Sequence, residues 1–223
     1  MDLYGWDWEL AETEYRRGIG LNPGYATAHH WYAWHLIVMG RNGEALAELK
    51  KAESLDPLSP IISADLADAL CIAKLCDESI VQSRKTLELH PFFSVAHYQL
   101  GQAFAQNRMY QEAIAELQRA IELSRGNAAF SSKLAYVYAI SGFTEDATRI
   151  VQDLKDRQDR NSSTDANIAL IYVGLGDSDQ AITWLNRAYE ARFNPSILLR
   201  PGFDPLGSDP RFRDLVRRIG LPL

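Results

Sequence analysis

The chain has 223 residues, 47% of them apolar, and a formal charge of −6. That apolar content excludes a disordered chain, and the acidic balance lacks the basic footprint of a nucleic-acid reader. No apolar run is long enough to cross a bilayer as a helix. Cys71 and Cys76 cannot form a disulfide framework. The opening Met1-Asp2-Leu3-Tyr4 lacks the basic start of a secretory leader, so a reducing, cytoplasmic setting is expected. Five positions apart on one helix, the two cysteines would point to different faces and read as small thiols of the core or surface.

Residues 1–25 read as half of a structural unit. Ala11, Tyr15, Gly18 and Pro23 match the second helix of the units that follow, with Trp6, Trp8 and Leu10 at its start. The first helix of that unit is missing, and an end unit of a stacked array normally needs a cap. Two readings stand. The uncovered apolar face pairs with a second copy, giving a homodimer through residues 1–25, or Met1 to Gly5 fold over it.

Thirty-four residues separate Pro23 from Pro57, and thirty-four separate Pro57 from Pro91. The neighbours recur with them, as Leu21-Asn22-Pro23, Leu55-Asp56-Pro57 and Leu89-His90-Pro91. A period of this size signals stacked supersecondary units. Stepping by thirty-four from Ala26 gives 26–59, 60–93, 94–127, 128–161 and 162–195 without an insertion. In the first unit a helix is expected from Ala26 to Met39, a break over Gly40 to Gly43 and a second helix from Glu44 to Leu55. Pro57 follows because it cannot continue a helix.

Small residues recur where two helices must approach closely: Ala33, Ala67, Gly101, Ala135 and Ala169 in the first helices, and Ala45, Ser79, Ala113, Ala147 and Ala181 in the second. Large residues fill the grooves between them, as Leu36, Leu70, Phe104, Tyr138 and Tyr172. Gly40, Gly142 and Gly176 suit left-handed helix caps. The pattern has departures. His29, Ser63, His97, Ser131 and Asp165 stand where a bulky residue is usual, and Arg125, Asp159 and Phe193 replace the turn proline. Unit 60–93 is the most degenerate, with Ser79, Ser83 and Thr86 in the packing positions of its second helix, and is expected to open first.

After Pro195 the period ends, and 196–223 reads as a C-terminal cap. Ser208-Asp209-Pro210 reads as a helix start with Ser208 as its cap. Arg211 to Ile219 follows as one amphipathic helix with Phe212, Leu215, Val216 and Ile219 as its stripe, closed by Gly220. Residues 190–223 hold six arginines and four acids, net +2, leaving −8 elsewhere. A patch of Arg211, Arg213, Arg217 and Arg218 is too small to favour nucleic acid over a solvated helix face.

These five in-register copies resemble the tetratricopeptide repeat, a thirty-four-residue helix–turn–helix unit, over residues 7–195. The resemblance implies an all-α, right-handed α-α superhelix whose first helices line a concave surface. The stretch Phe203-Asp204-Pro205-Leu206-Gly207-Ser208-Asp209-Pro210-Arg211-Phe212 is similar to the tail of such regions in bacterial winged-helix regulators and serine/threonine kinases. Leu55 to Pro60 and Ala28 to Ala33 look like the same group. This implies a sensory or docking module whose effector domain lies upstream.

By that register the groove is lined by His30, Trp31, Trp34, Asp65, Asp68, Tyr98, Gln99, Gln102, Lys133, Tyr136 and Asn167. Trp31 and Trp34 share a face and either line the groove or pack on neighbouring helices. Asp65 and Asp68 would need a desolvated pocket to act as paired carboxylates and read instead as a solvated acidic face, with Lys133 the only clear cation. The groove then suits a segment carrying Arg or Lys with apolar anchors, since cations stack on Trp. Repeats of this fold that clamp a terminal carboxylate use lysines, arginines and asparagines, which this groove lacks. No two histidines of His29 to His35 stand four apart as a zinc helix requires. The sequence shows no phosphate loop, nucleophile elbow or CxxC, so neither enzyme chemistry nor a cofactor is expected. Asn161-Ser162-Ser163 matches a glycosylation sequon without consequence in a reducing compartment. The expected partner is a protein or peptide, not nucleic acid or membrane.

Overall fold

A computed structural model describes residues 7–157 and 161–221. The covering arm Met1 to Gly5, Trp6 and the turn residue Asp159 lie outside them. The described residues form a lone helix, α1 (Trp8–Leu21), then five helical hairpins. These are α2 (Ala26–Val38) with α3 (Asn42–Leu55), α4 (Pro60–Ile72) with α5 (Cys76–Leu89), α6 (Ser94–Gln106) with α7 (Tyr110–Leu123), α8 (Ala128–Ile140) with α9 (Thr144–Asp156), and α10 (Ser162–Gly174) with α11 (Ser178–Glu190). Two 3-10 turns, Pro195–Leu199 and Pro201–Leu206, lead into α12 (Pro210–Ile219). Each helix packs on the next, and α4, α6, α8 and α10 also stack side by side.

One turn design repeats. Gly40, Lys74, Arg108, Gly142 and Gly176 all have positive φ, from 60° to 92°. After each, the next amide reaches back to the helix: Arg41 to Leu36 O at 2.9 Å, Leu75 to Leu70 O at 2.9 Å, Phe143 to Tyr138 O at 2.8 Å. This left-handed cap satisfies carbonyls that the helix end leaves open. Three of the five positions hold the glycine that the conformation favours. Lys74 and Arg108 adopt it against a steric cost of about 1–2 kcal/mol. The break in the first hairpin is shorter than expected, because Asn42 and Gly43 already belong to α3.

The small positions lie at the helix contacts. Ala33, Ala67, Ala135 and Ala169 are fully buried, and a Cβ on Gly101 would stand 2.7 Å from Leu117 Cγ. The departures at 29 and 97 are clasps, not packing residues. His29 Nδ1 meets Glu48 Oε2 at 2.5 Å and its Nε2 meets the Pro23 carbonyl at 3.0 Å. His97 repeats this with Glu116 at 2.6 Å and Pro91 at 3.1 Å. Each ties a first helix to its second helix and to the preceding turn. In unit 60–93, Ser79 Oγ donates to Ala67 O at 2.7 Å and Thr86 Oγ1 pairs with Ser63 Oγ at 2.8 Å. Ser83 Oγ is buried without a hydrogen bond.

Cys71 lies in the last turn of α4 and Cys76 begins α5, so the chain turns between them. They therefore do not share one helix, as the spacing alone suggested. Asp209, not Ser208, caps α12, accepting from the Arg211 amide at 2.8 Å. Gly220 closes that helix at φ 79°. Phe212, Leu215, Val216 and Ile219 are buried, in one apolar cluster with Phe203, Leu206 and, from α2, Val38. At the other end, Trp8 Nε1 donates to the Ile219 carbonyl at 3.3 Å. The two ends of the solenoid therefore meet.

Candidate functional site

The first helices α2, α4, α6 and α8 present a concave wall of polar side chains. At its N-terminal lip, Trp31 is 48% exposed and stacks on His30 at 5.4 Å. His30 Nε2 meets Asp65 Oδ2 at 2.6 Å, and Trp34 Nε1 donates to the same oxygen at 2.8 Å. Asp65 is thereby buried and partnered. Next along the wall, Asp68 is 1% exposed. The expected solvated acidic face is absent here, because a cation covers it.

That cation is Arg200, from the segment beyond the repeats. Its Nη1 donates to Asp68 Oδ1 at 2.8 Å and its Nη2 to Asp68 Oδ2 at 2.9 Å. Nη1 also reaches Gln102 Oε1 at 3.0 Å. Gln102 Nε2 in turn donates to Gln99 Oε1 at 2.5 Å and to Asp68 Oδ1 at 3.3 Å. A guanidinium held in this two-pronged way is oriented as well as neutralised. Lys133 is accordingly not the only cation of the groove. It is buried over the Tyr136 ring at 5.2 Å, and burial, aided by Arg200, pulls its pKa down to about 8.

The segment carrying Arg200 lies along this wall. Its first turn packs on α2 and its second on α10. Leu199 touches both the apolar cluster of α2 and α4 and the larger one beyond α6. Phe203 and Leu206 are fully buried, and Lys74 Nζ pairs with Asp204 Oδ2 at 2.9 Å. At Gly202 the backbone comes so near that a Cβ would stand 2.6 Å from Leu170 Cδ1 and 3.3 Å from the Tyr136 ring. A larger residue there would have to displace the Leu170 methyl.

Tyr98 and Tyr136 are buried at this wall. Tyr98 stacks on Phe130 at 4.5 Å, and burial pushes the Tyr136 hydroxyl up to about 12. Asn167 is half-buried on α10. The structure thus gathers His30, Trp34, Asp65, Asp68, Gln99, Gln102 and Lys133 into one lining, with Trp31 at its open edge. Sequence reasoning missed Arg200, since it lies outside the thirty-four-residue register. Its signal was a lone cation in the apolar run Pro195-Ser196-Ile197-Leu198-Leu199-Arg200, in a net-positive tail on an otherwise acidic chain.

The arginines of α12 have other partners. Arg211 pairs with Asp209 at 2.8 Å and Asp179 at 2.7 Å, and Arg218 with Asp214 at 3.1 Å. Asn161 caps α10 by accepting from the Thr164 amide at 3.0 Å. No helix among the described residues is long and apolar enough to cross a membrane.

Tetratricopeptide-repeat models match residues 94–127 and 166–195. Among solved structures, the chain is similar to a thermophilic TPR protein of Thermus thermophilus, with 17% identity and a TM-score of 0.65, covering 87% of this chain and 97% of that one. It is also similar to PilW, described as a widely conserved type IV pilus biogenesis factor, with 19% identity, a TM-score of 0.63, and 83% and 86% coverage. Pseudomonas aeruginosa pilF follows at 18% identity and a TM-score of 0.57, with 89% and 90% coverage. At these identities the likeness establishes the fold. A search of curated proteins returned no match.

Proposed function

From a chain that is a tetratricopeptide-repeat protein, we propose a non-enzymatic interaction module that takes a segment of a partner protein in its concave groove. Residues 26–195 are its five-repeat body, 196–223 its cap and 1–25 a half unit. The observation that carries this reading is the lining itself. Charged and polar side chains converge from the first helices of four consecutive units, His30 from α2, Asp65 and Asp68 from α4, Gln99 and Gln102 from α6 and Lys133 from α8.

We assign the site to His30, Trp31, Trp34, Asp65, Asp68, Tyr98, Gln99, Gln102, Lys133, Tyr136 and Asn167. The module belongs to a larger bacterial regulator with its effector domain upstream, in the cytoplasm, a context that rests on the resemblance of 203–212. Capture of a partner from the native cell tests the groove. Trp34→Ala and Trp31→Ala reduce capture if the groove is the site, and unchanged capture moves the site elsewhere. A second reading, dimerisation through 1–25, is favoured by Leu10 and Leu21, which are 58% and 79% exposed on α1. Sedimentation over a range of concentration decides it: a mass that doubles supports the dimer, and a constant monomer mass removes it.

A further inference from the structure

The wall is already covered by the chain's own tail. Residues 195–207 cross the wall with Arg200 on Asp68 and Gln102. Leu198 and Phe203 are buried on either side of the arginine. This is the chemistry the lining calls for, an arginine between large apolar side chains. The segment is held by side chains and by two short 3-10 turns, whose hydrogen bonds are poorer than those of an α-helix. Pro195, Pro201 and Pro205 deprive it of backbone donors. Beside it, Trp31 remains half exposed with His30 stacked on it, so the lip stays open to an incoming chain.

We infer that residues 195–207 are a built-in competitor for the groove, and that the partner segment carries the same chemistry, an arginine flanked by large apolar residues that replaces Arg200 on Asp68. This rests on the groove reading above. A site occupied in cis binds in trans with an affinity reduced by the fraction of time it is open. The recognised arginine is chosen over lysine by the two-pronged geometry, which an ammonium cannot reproduce.

The test uses a fluorescent synthetic peptide, Pro-Ser-Ile-Leu-Leu-Arg-Pro-Gly-Phe-Asp-Pro-Leu-Gly, the sequence of 195–207. Its anisotropy is titrated with the full chain as wild type, Arg200→Ala and Gly202→Val. The second variant keeps the ion pair and crowds Leu170 and Tyr136. The account expects both variants to bind at least tenfold tighter than wild type, and a peptide with lysine for arginine to lose most of that gain. Equal binding by all three chains, or by none, overturns the inference. Circular dichroism accompanies each titration, and if both variants fail to fold, the segment is a permanent part of the core and the inference is wrong. Partner capture separates this from the groove reading. Capture lost in Trp34→Ala but unchanged in Arg200→Ala and Gly202→Val leaves the groove standing and removes the competitor. Capture that survives Trp34→Ala removes the groove.

Discussion

The two ends of the solenoid are finished by opposite physics. At the C-terminal end Phe193 and Leu215 are fully buried, and the end is sealed by apolar area. At the N-terminal end none of the residues of α1 is fully buried. That helix rests its half-buried Tyr15 and Ile19 on the apolar cluster of α2 and α4 and is pinned by a charge cluster. Glu12 accepts from Arg41 Nη1 and Arg16 Nη2, each at 2.7 Å, and from the Tyr32 hydroxyl at 3.1 Å. Behind them the His35 ring is 1% exposed and faces Glu12 Oε2 at 3.8 Å. Burial seals an end independently of pH and salt, whereas a surface charge cluster weakens with both.

The largest effect that would break this contrast belongs to the C-terminal end. Leu215→Ala empties a core position and costs about 2–5 kcal/mol, as large-to-small core changes do. A chemical-denaturation midpoint that moved no more than for a surface change would show that the cap is loose.

Acid acts on the other end. Arg41 and then Arg16 hold the Glu12 carboxyl down at about 2 by hydrogen bonding, so its contribution is present above pH 4.5 and fades as pH falls toward 2. Burial lowers the His35 pKa below 6.5, so the neutral ring is favoured and its contribution fades as pH falls from 6.5 through the lowered value. Both act in the same direction. Thermal melts from pH 7 to pH 2 are expected to show falling stability, with His35→Leu removing the upper part of the drop and the Glu12 cluster the part below pH 4.5. A flat profile would contradict the charge-held end.

Within the body, Ser83 is compared with Leu49 and Leu117 at the same register position. Ser83→Ala removes a buried hydroxyl that lacks a partner and is expected to stabilise by about 1 kcal/mol. Hydrogen exchange of α5, set against α7, reads the same weakness, with α5 expected to exchange faster. The smallest effect is chemical. Interaction with the Cys71 thiol lowers Cys76 to about 7, while interaction with Cys76, with burial, raises Cys71. Alkylation at pH 7.5, followed by peptide mapping, should mark Cys76 well before Cys71.

The body was legible in the sequence because stacking imposes a period. Ala33, Ala67, Gly101 and Ala135 must be small at every contact, and the prolines mark every early turn. Features set by contacts between distant segments were not. Lys74 and Arg108 take the left-handed cap without the glycine that announces it. Cys71 and Cys76 fall on different helices because a turn separates them. Asp68 read as solvated because the residue that covers it, Arg200, lies 132 positions away. The register placed the groove wall but could not show that the chain's own tail lies on it.

Lys74 and Asp204 sit 2.9 Å apart on the surface, 130 residues distant in sequence. Carbodiimide coupling, which joins an amine to a carboxylate without a spacer, reads that contact directly. A Lys74–Asp204 linked peptide formed in native buffer and lost in urea is the predicted result. Native protein in which Lys74 couples only to acids near it in sequence would contradict a solenoid whose tail folds back across its inner wall.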